Sequence, residues 1–139
     1  MGQQQLLLVI LVTIIVGIAT VVAINTFGSS AEQANIDAVR NDIASIATSA
    51  QAWYIRPAML EGGGNDYTDL DFNKVGFSYD SMVSATEVSN LNGTYEISST
   101  GVDNFTIVAT PRSNANVTVT GTYTVADGLS IVTTGAEGN

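Results

Sequence analysis

Residues 6–24 read LLLVILVTIIVGIATVVAI, a run of nineteen positions without a charge or a proline. The first charge of either sign is Glu32, and the first positive one is Arg40. As an α-helix the run is about 28 Å long, close to the ~30 Å hydrocarbon thickness of a bilayer. Its apolar residues lie on every side, so no face suits water. It must be covered by lipid, by a protein core or by other copies of itself. A secretory signal is the competing reading. A signal core is usually shorter and follows basic residues, whereas MGQQQ carries none, so the segment is expected to be retained. Gly17 sits at its centre, four residues after Thr13 and three before Thr20, and small side chains of this kind let helices approach closely.

A second pattern follows. Ile36, Val39, Ile43, Ile46, Ala50 and Trp53 are spaced 3, 4, 3, 4 and 3, an apolar stripe along one side of a helix. Glu32, Asn35, Asp37, Arg40, Asp42, Ser45 and Ser49 fill most of the other sides and read as solvent-facing. Asp37 and Arg40 are spaced for an i, i+3 ion pair. Arg56-Pro57 ends the helix, because proline disfavours helical backbone at the residue before it. Gly28-Ser29-Ser30 is a weak point. With no proline before Pro57, the two halves are expected to form one helix of about 55 residues and about 80 Å. Such a rod outruns any domain that the remaining residues can build, so it must project.

Gly62-Gly63-Gly64-Asn65-Asp66 reads as a flexible loop. It lacks the preceding strand and the following Lys-Ser/Thr of a phosphate loop, which argues against nucleotide binding. Residues 71–88 are ambiguous, with a short strand expected at 75–79. Segments 95–99, 105–110, 117–125 and 129–134 alternate apolar residues with Thr and Ser and are rich in β-branched side chains. Separated by turns, they predict an antiparallel meander, with Asp127-Gly128 suited to a tight hairpin. The apolar face of the sheet and the stripe of the helix each need cover, so they are expected to pack together, with Trp53 and Tyr54 closing the contact. The fold class is α+β: a long hydrophobic-then-amphipathic N-terminal helix packed against a C-terminal antiparallel sheet. Residues 1–28 form the anchor or filament core, 29–56 the amphipathic half, and 57–139 the loop and sheet of a globular head.

Composition narrows the function. With 13 acidic and 4 basic residues the net charge is −9, which repels nucleic acid, so no nucleic-acid site is expected. The chain has no cysteine, which removes disulfides and thiol chemistry, and no histidine, the usual acid–base group and metal ligand near neutral pH. No nucleophile–base pair stands out, and the expectation is a non-enzyme without cofactor or metal. Glu61, Asp66, Asp69 and Asp71, with Asn65, Thr68 and Asn73, read as an acidic solvated loop; Ca²⁺ binding is the alternative, although the EF-hand spacing is not met. Asn92, Asn104 and Asn116 each begin an Asn-x-Thr triplet, candidate glycan acceptors on an exported surface.

The order of these parts resembles the type IV pilin superfamily. The residues that carry the resemblance are the run 6–24 and the segment 34–54, with its IASIATSAQAWY ending. The MGQQQLLL start is similar to that of a group of small bacterial pilin-like proteins. The resemblance implies a helix that anchors the subunit in the inner membrane before assembly. On assembly the helices leave the bilayer and pack as the central bundle of an extracellular filament on the cell surface, with the heads outside. It implies as partners the chain itself in a helical homopolymer, a prepilin peptidase and inner-membrane assembly machinery. Subunit–subunit contacts then fall on Gln5, Leu6, Leu7, Leu8, Ile10, Leu11, Ile14, Ile15, Gly17, Ile18, Val21, Val22 and Ile24. Ile36, Val39, Ile43, Ile46, Ala50 and Trp53 dock the head. Pilins usually carry glutamate at mature position five, paired with a neighbour's N-terminal amine. That position is Gln5 if Met1 is the first mature residue and Leu7 if cleavage follows Gly2; no cleavage is the third alternative. The mid-helix proline and the C-terminal cysteine pair frequent in the superfamily are absent. The implied role is a filament serving adhesion, motility or DNA uptake. The alternatives are a pseudopilin of a type II-like secretion system and a single-pass membrane protein with an extracytoplasmic β-rich binding domain.

Overall fold

The computed structural model describes residues 2–135. Met1 and residues 136–139, assigned above to the first and last segments, lie outside the described residues, and so does the alternative that makes Met1 the mature N-terminus. One helix, α1 (Gly2–Ile55, 54 residues), runs without a break through Gly28-Ser29-Ser30 and stops at the residue pair before Pro57. At 1.5 Å per residue it is about 81 Å long. A 3₁₀ turn (Ala58–Leu60) and an irregular connection lead to six strands: β1 (Ser81–Ser84), β2 (Glu87–Ser89), β3 (Gly93–Thr100), β4 (Asn104–Pro111), β5 (Thr118–Thr124) and β6 (Gly128–Thr134). They form one open antiparallel sheet in sequence order, so β1 and β6 are its two edges. The architecture is α+β, a long apolar N-terminal helix with a C-terminal antiparallel sheet.

The second half of α1 lies over β4, β5 and β6. Ile36, Val39, Ile43, Ile46, Ala47, Ala50 and Trp53 are at most 5% exposed. They meet Tyr95, Ile97, Phe105, Ile107, Ala109, Val117 and Val119 from the inner face of the sheet. Alternation along β4 and β5 puts Thr106, Val108, Thr118 and Thr120 on the outer face. Gly121 makes room for the helix: a Cβ there would lie 2.4 Å from Ile43 Cγ2, so the missing side chain is the socket into which Ile43 fits.

Two expectations about the connection need correction. The segment 75–79 is irregular rather than a strand, and β1 and β2 instead occupy 81–89. Tyr67, Leu70, Phe72 and Val75 nevertheless belong to the core. Their backbone is secured piecemeal, with Tyr67 N donating to Val102 O and Phe72 N to Ala85 O. Their spacing follows neither a helical nor a strand period, which hides them in the sequence. The glycine-rich segment is a tight cap on α1 rather than a free loop. Gly63 N donates to Trp53 O at 2.8 Å, Gly64 N to Arg56 O and Asn65 N to Tyr54 O, which satisfies carbonyls that a helix end leaves open. A Cβ on Gly62 would lie 2.1 Å from Arg56 O, and Gly64 adopts φ +58, so glycine suits both places. At the β5–β6 hairpin Thr124 pairs with Gly128, giving a three-residue connection with the glycine at φ +81.

Candidate functional site

Among the described residues, nothing packs against the first half of α1. From Leu6 to Ile24 the large apolar residues are between 54% and 67% exposed, as much as an isolated helix allows. This covers every large residue assigned above to subunit contacts, and Gln5 is exposed beside them near the start of the helix. The segment is long and apolar enough to cross a membrane. Its few polar groups are already satisfied within the helix. Thr13 Oγ1 donates to Val9 O at 2.8 Å, Thr20 Oγ1 to Val16 O at 2.8 Å and Thr26 Oγ1 to Val22 O at 2.9 Å. No hydroxyl therefore demands water or a polar partner, and the surface is compatible with lipid or another apolar helix. Thr13, Ile14, Gly17, Ile18, Val21 and Val22 line a shallow notch, and Gly17 has open space where a Cβ would be.

The docked half does the opposite: it carries polar pins beside its buried stripe. Asp42 Oδ2 accepts from Asn92 Nδ2 at 2.8 Å, from Asn90 Nδ2 at 3.0 Å and from Tyr95 OH at 2.5 Å. Asn35 Nδ2 donates to Asn92 O, and its Oδ1 accepts from Ser113 N and Oγ. Asn114 Nδ2 donates to Glu32 Oε1, and Arg40 Nη2 to Thr133 Oγ1 at 2.6 Å. The Asp37–Arg40 ion pair forms at 3.2 Å. By sequence pattern these residues form a solvent face. Four of them instead tie the turns and one edge of the sheet to the helix. The available signal was position: Asn35 and Asp42 each immediately precede a core isoleucine. Burial, then the hydrogen bond and charge of Asp42, push the Tyr95 phenol up. Burial, then the neighbouring Tyr123, push up that of Tyr67. Tyr67 stacks on Tyr54 at 4.3 Å, so the contact at the end of the helix is closed by Tyr54 as well as Trp53.

The remaining candidates fall as follows. Asn104 and Asn116 are exposed, whereas the Asn92 amide is engaged by Asp42. In the acidic loop, Asp66 Oδ1 accepts from Thr68 N and Asp71 Oδ1 from Asn73 N, and Asp71 pairs with Lys74 at 3.6 Å. Hydrogen bonding from Thr68, its side chain first and then its backbone N–H, holds the Asp66 carboxyl below the usual carboxylate range. Among the described residues no three such side chains converge in a way that would hold a metal ion. No family model, no curated protein and no solved structure matches this chain.

Proposed function

We propose that the chain is the structural subunit of a type IV pilus-like filament on the cell surface. It is anchored in the cytoplasmic membrane by residues 6–24 before assembly and packed through the same residues afterwards. The observation that carries this reading is the charge-free half-helix, apolar on all sides and standing clear of its own head. Covering it is worth on the order of tens of kcal/mol against water, at about 25 cal/mol per Å² of apolar surface. Exchanging lipid for neighbouring helices changes that term little, so a machine is able to move the subunit from one cover to the other. The head supplies the outer surface, and the filament's role in adhesion, motility or DNA uptake, or as a short pseudopilus, follows from what that surface meets. A second reading, a single-pass membrane protein with an external head, draws on the match between the ~28 Å run and a bilayer.

Negative-stain imaging of sheared surface material from cells expressing the full chain, with mass spectrometry of the subunit, tests the proposal. Fibres built of this chain are expected. Extraction only as a dispersed membrane protein, with no fibres, overturns the filament in favour of the single-pass reading.

A further inference from the structure

We propose that the sheet continues from copy to copy, with β6 of one chain pairing antiparallel with β1 of the next. The proposal rests on the filament reading and specifies a contact between heads.

The two edges differ in a way that fits them to each other. β6 is seven residues long, pairs with β5 in an unbroken register, and has no charge, proline or bulge. Natural edges are usually guarded by such features, and an unguarded one is a template for another strand. Among the described residues no strand occupies its outer side. β1, at the far edge, is the uncharged tetrapeptide Ser-Met-Val-Ser; its register with β2 shifts between Met82 and Ser84, so Val83 has no partner on β2. Each edge also exposes a valine on the outer face: Val83 is 65% exposed and Val132 54%.

Setting Val83 opposite Val132 fixes the rest of the register. Met82 then faces Thr133, and Ser81 faces Thr134. The pleat agrees, because Met82 packs against the core and Thr133 receives Arg40 from the helix, so both lie on the helix side of the sheet. Asp80, two residues before Met82 and exposed, is brought to the side that holds Arg40. Arg40 is one of only four basic residues in a chain of net charge −9; its Nη1 meets Asp37 at 3.2 Å and its Nε and Nη2 meet the neutral Thr133 Oγ1, so Asp80 would be a second carboxylate at this guanidinium. Heads of like charge repel, so a contact that joins an uncharged strand to an uncharged strand and an arginine to an aspartate is favoured. The competing arrangement, β6 against β6, would bring two Arg40 side chains towards each other and close as a two-fold dimer. An edge-to-opposite-edge contact is heterologous and propagates.

The chain has no cysteine, so a pair introduced at Val83→Cys and Val132→Cys reports this contact alone. Fibres of the double variant, treated with a short bismaleimide and run on a denaturing gel, should give a ladder of dimers, trimers and higher rungs. Each single variant should stay monomeric. Fibres that carry both cysteines yet give no ladder overturn the pairing and leave the filament reading standing. Dimers from Val132→Cys alone overturn it in favour of β6 against β6. A ladder from membranes without fibres upholds the pairing and sinks the filament, and monomers without fibres sink both. As an independent check, Asp80→Lys, which sets a second cation towards Arg40 of the next copy, should lower fibre yield about tenfold, and Asp80→Glu should leave it unchanged. An unchanged yield with Asp80→Lys overturns the proposed register.

Discussion

The two halves of α1 share one backbone and one helical geometry, yet they solve the problem of apolar surface in opposite ways. Residues 36–53 confine it to a stripe, bury the stripe to within 5% exposure against the sheet, and flank it with Asn35, Arg40 and Asp42, which pin the head. Residues 6–24 spread it over every side, leave all of it exposed, and turn each threonine back onto its own helix. The contrast is between a partner encoded within the chain and one that must come from outside it. A narrow stripe specifies one neighbour. An all-round apolar surface specifies only that every neighbour be apolar, which suits both lipid and a bundle of identical helices.

A charge placed in the free half breaks the comparison most sharply. Val16→Asp puts a carboxylate at the middle of the run, where it costs about 2.5–3.5 kcal/mol on insertion scales in every copy. Fibres are expected to vanish from negative-stain images. The thermal melt of the head, followed by circular dichroism of the full chain in detergent, should stay within about 2 °C of wild type. Persistent fibres of unchanged diameter would remove the free half from the core of the polymer.

The docked half should show the inverse pattern. Ile43→Ala deletes a fully buried side chain and is expected to cost about 2–5 kcal/mol of head stability by denaturant titration. Gly121→Ala is expected to cost about 1–3 kcal/mol, because its new methyl would lie 2.4 Å from Ile43 Cγ2. Ile43→Ala removes that Cγ2, so the double variant should cost less than the sum, with a coupling of at least about 0.5 kcal/mol. Strict additivity would mean that helix and sheet do not meet at this socket.

Much of this contrast was legible in the sequence. The stripe from Ile36 to Trp53 announced itself by spacing, and four of the six strands by alternation. The free half was legible because nineteen uncharged positions admit few fates. What stayed hidden lacks a period. Tyr67, Leu70, Phe72 and Val75 are core residues on irregular backbone, and β1 and β2, four and three residues long, are too short to display alternation. Asp42 and Asn35 were hidden for another reason: a polar residue beside a buried stripe looks the same in sequence whether it faces water or a turn of the sheet. The cap formed by Gly62, Gly63 and Gly64 likewise reads as slack until the carbonyls it satisfies are seen.

The buried phenols give a smaller effect with its own signature. Tyr95 and Tyr67 titrate higher in the folded head than in the unfolded chain, where a phenol loses its proton near pH ~10. Their contribution is therefore fully present below about pH 10 and is lost as pH rises above it, because the unfolded chain then gives up protons that the folded head retains. Head stability measured from pH 8 to 11 should fall at the alkaline end. Tyr95→Phe should cost about 1–2 kcal/mol at pH 7, for the lost bond to Asp42, and should make the alkaline fall shallower. An unchanged slope would assign the fall to groups other than Tyr95.

The smallest effect tests the free half on its own terms. If Thr13, Thr20 and Thr26 spend their hydroxyls on Val9, Val16 and Val22 carbonyls, none of them holds helices together by hydrogen bonds between chains. Thr20→Val preserves shape and branching while removing the hydroxyl, and it frees Val16 O only from a second, supplementary bond, since that carbonyl keeps its helical partner. The expected change is within about 0.5 kcal/mol, the range of a surface substitution that touches no special feature, and fibre yield should stay within about twofold of wild type. A large loss with Thr20→Val, restored by Thr20→Ser, would show that the hydroxyl turns outward on assembly. The surface would then carry polar specificity, and the distinction between the two halves would be one of partner identity rather than of apolar cover alone.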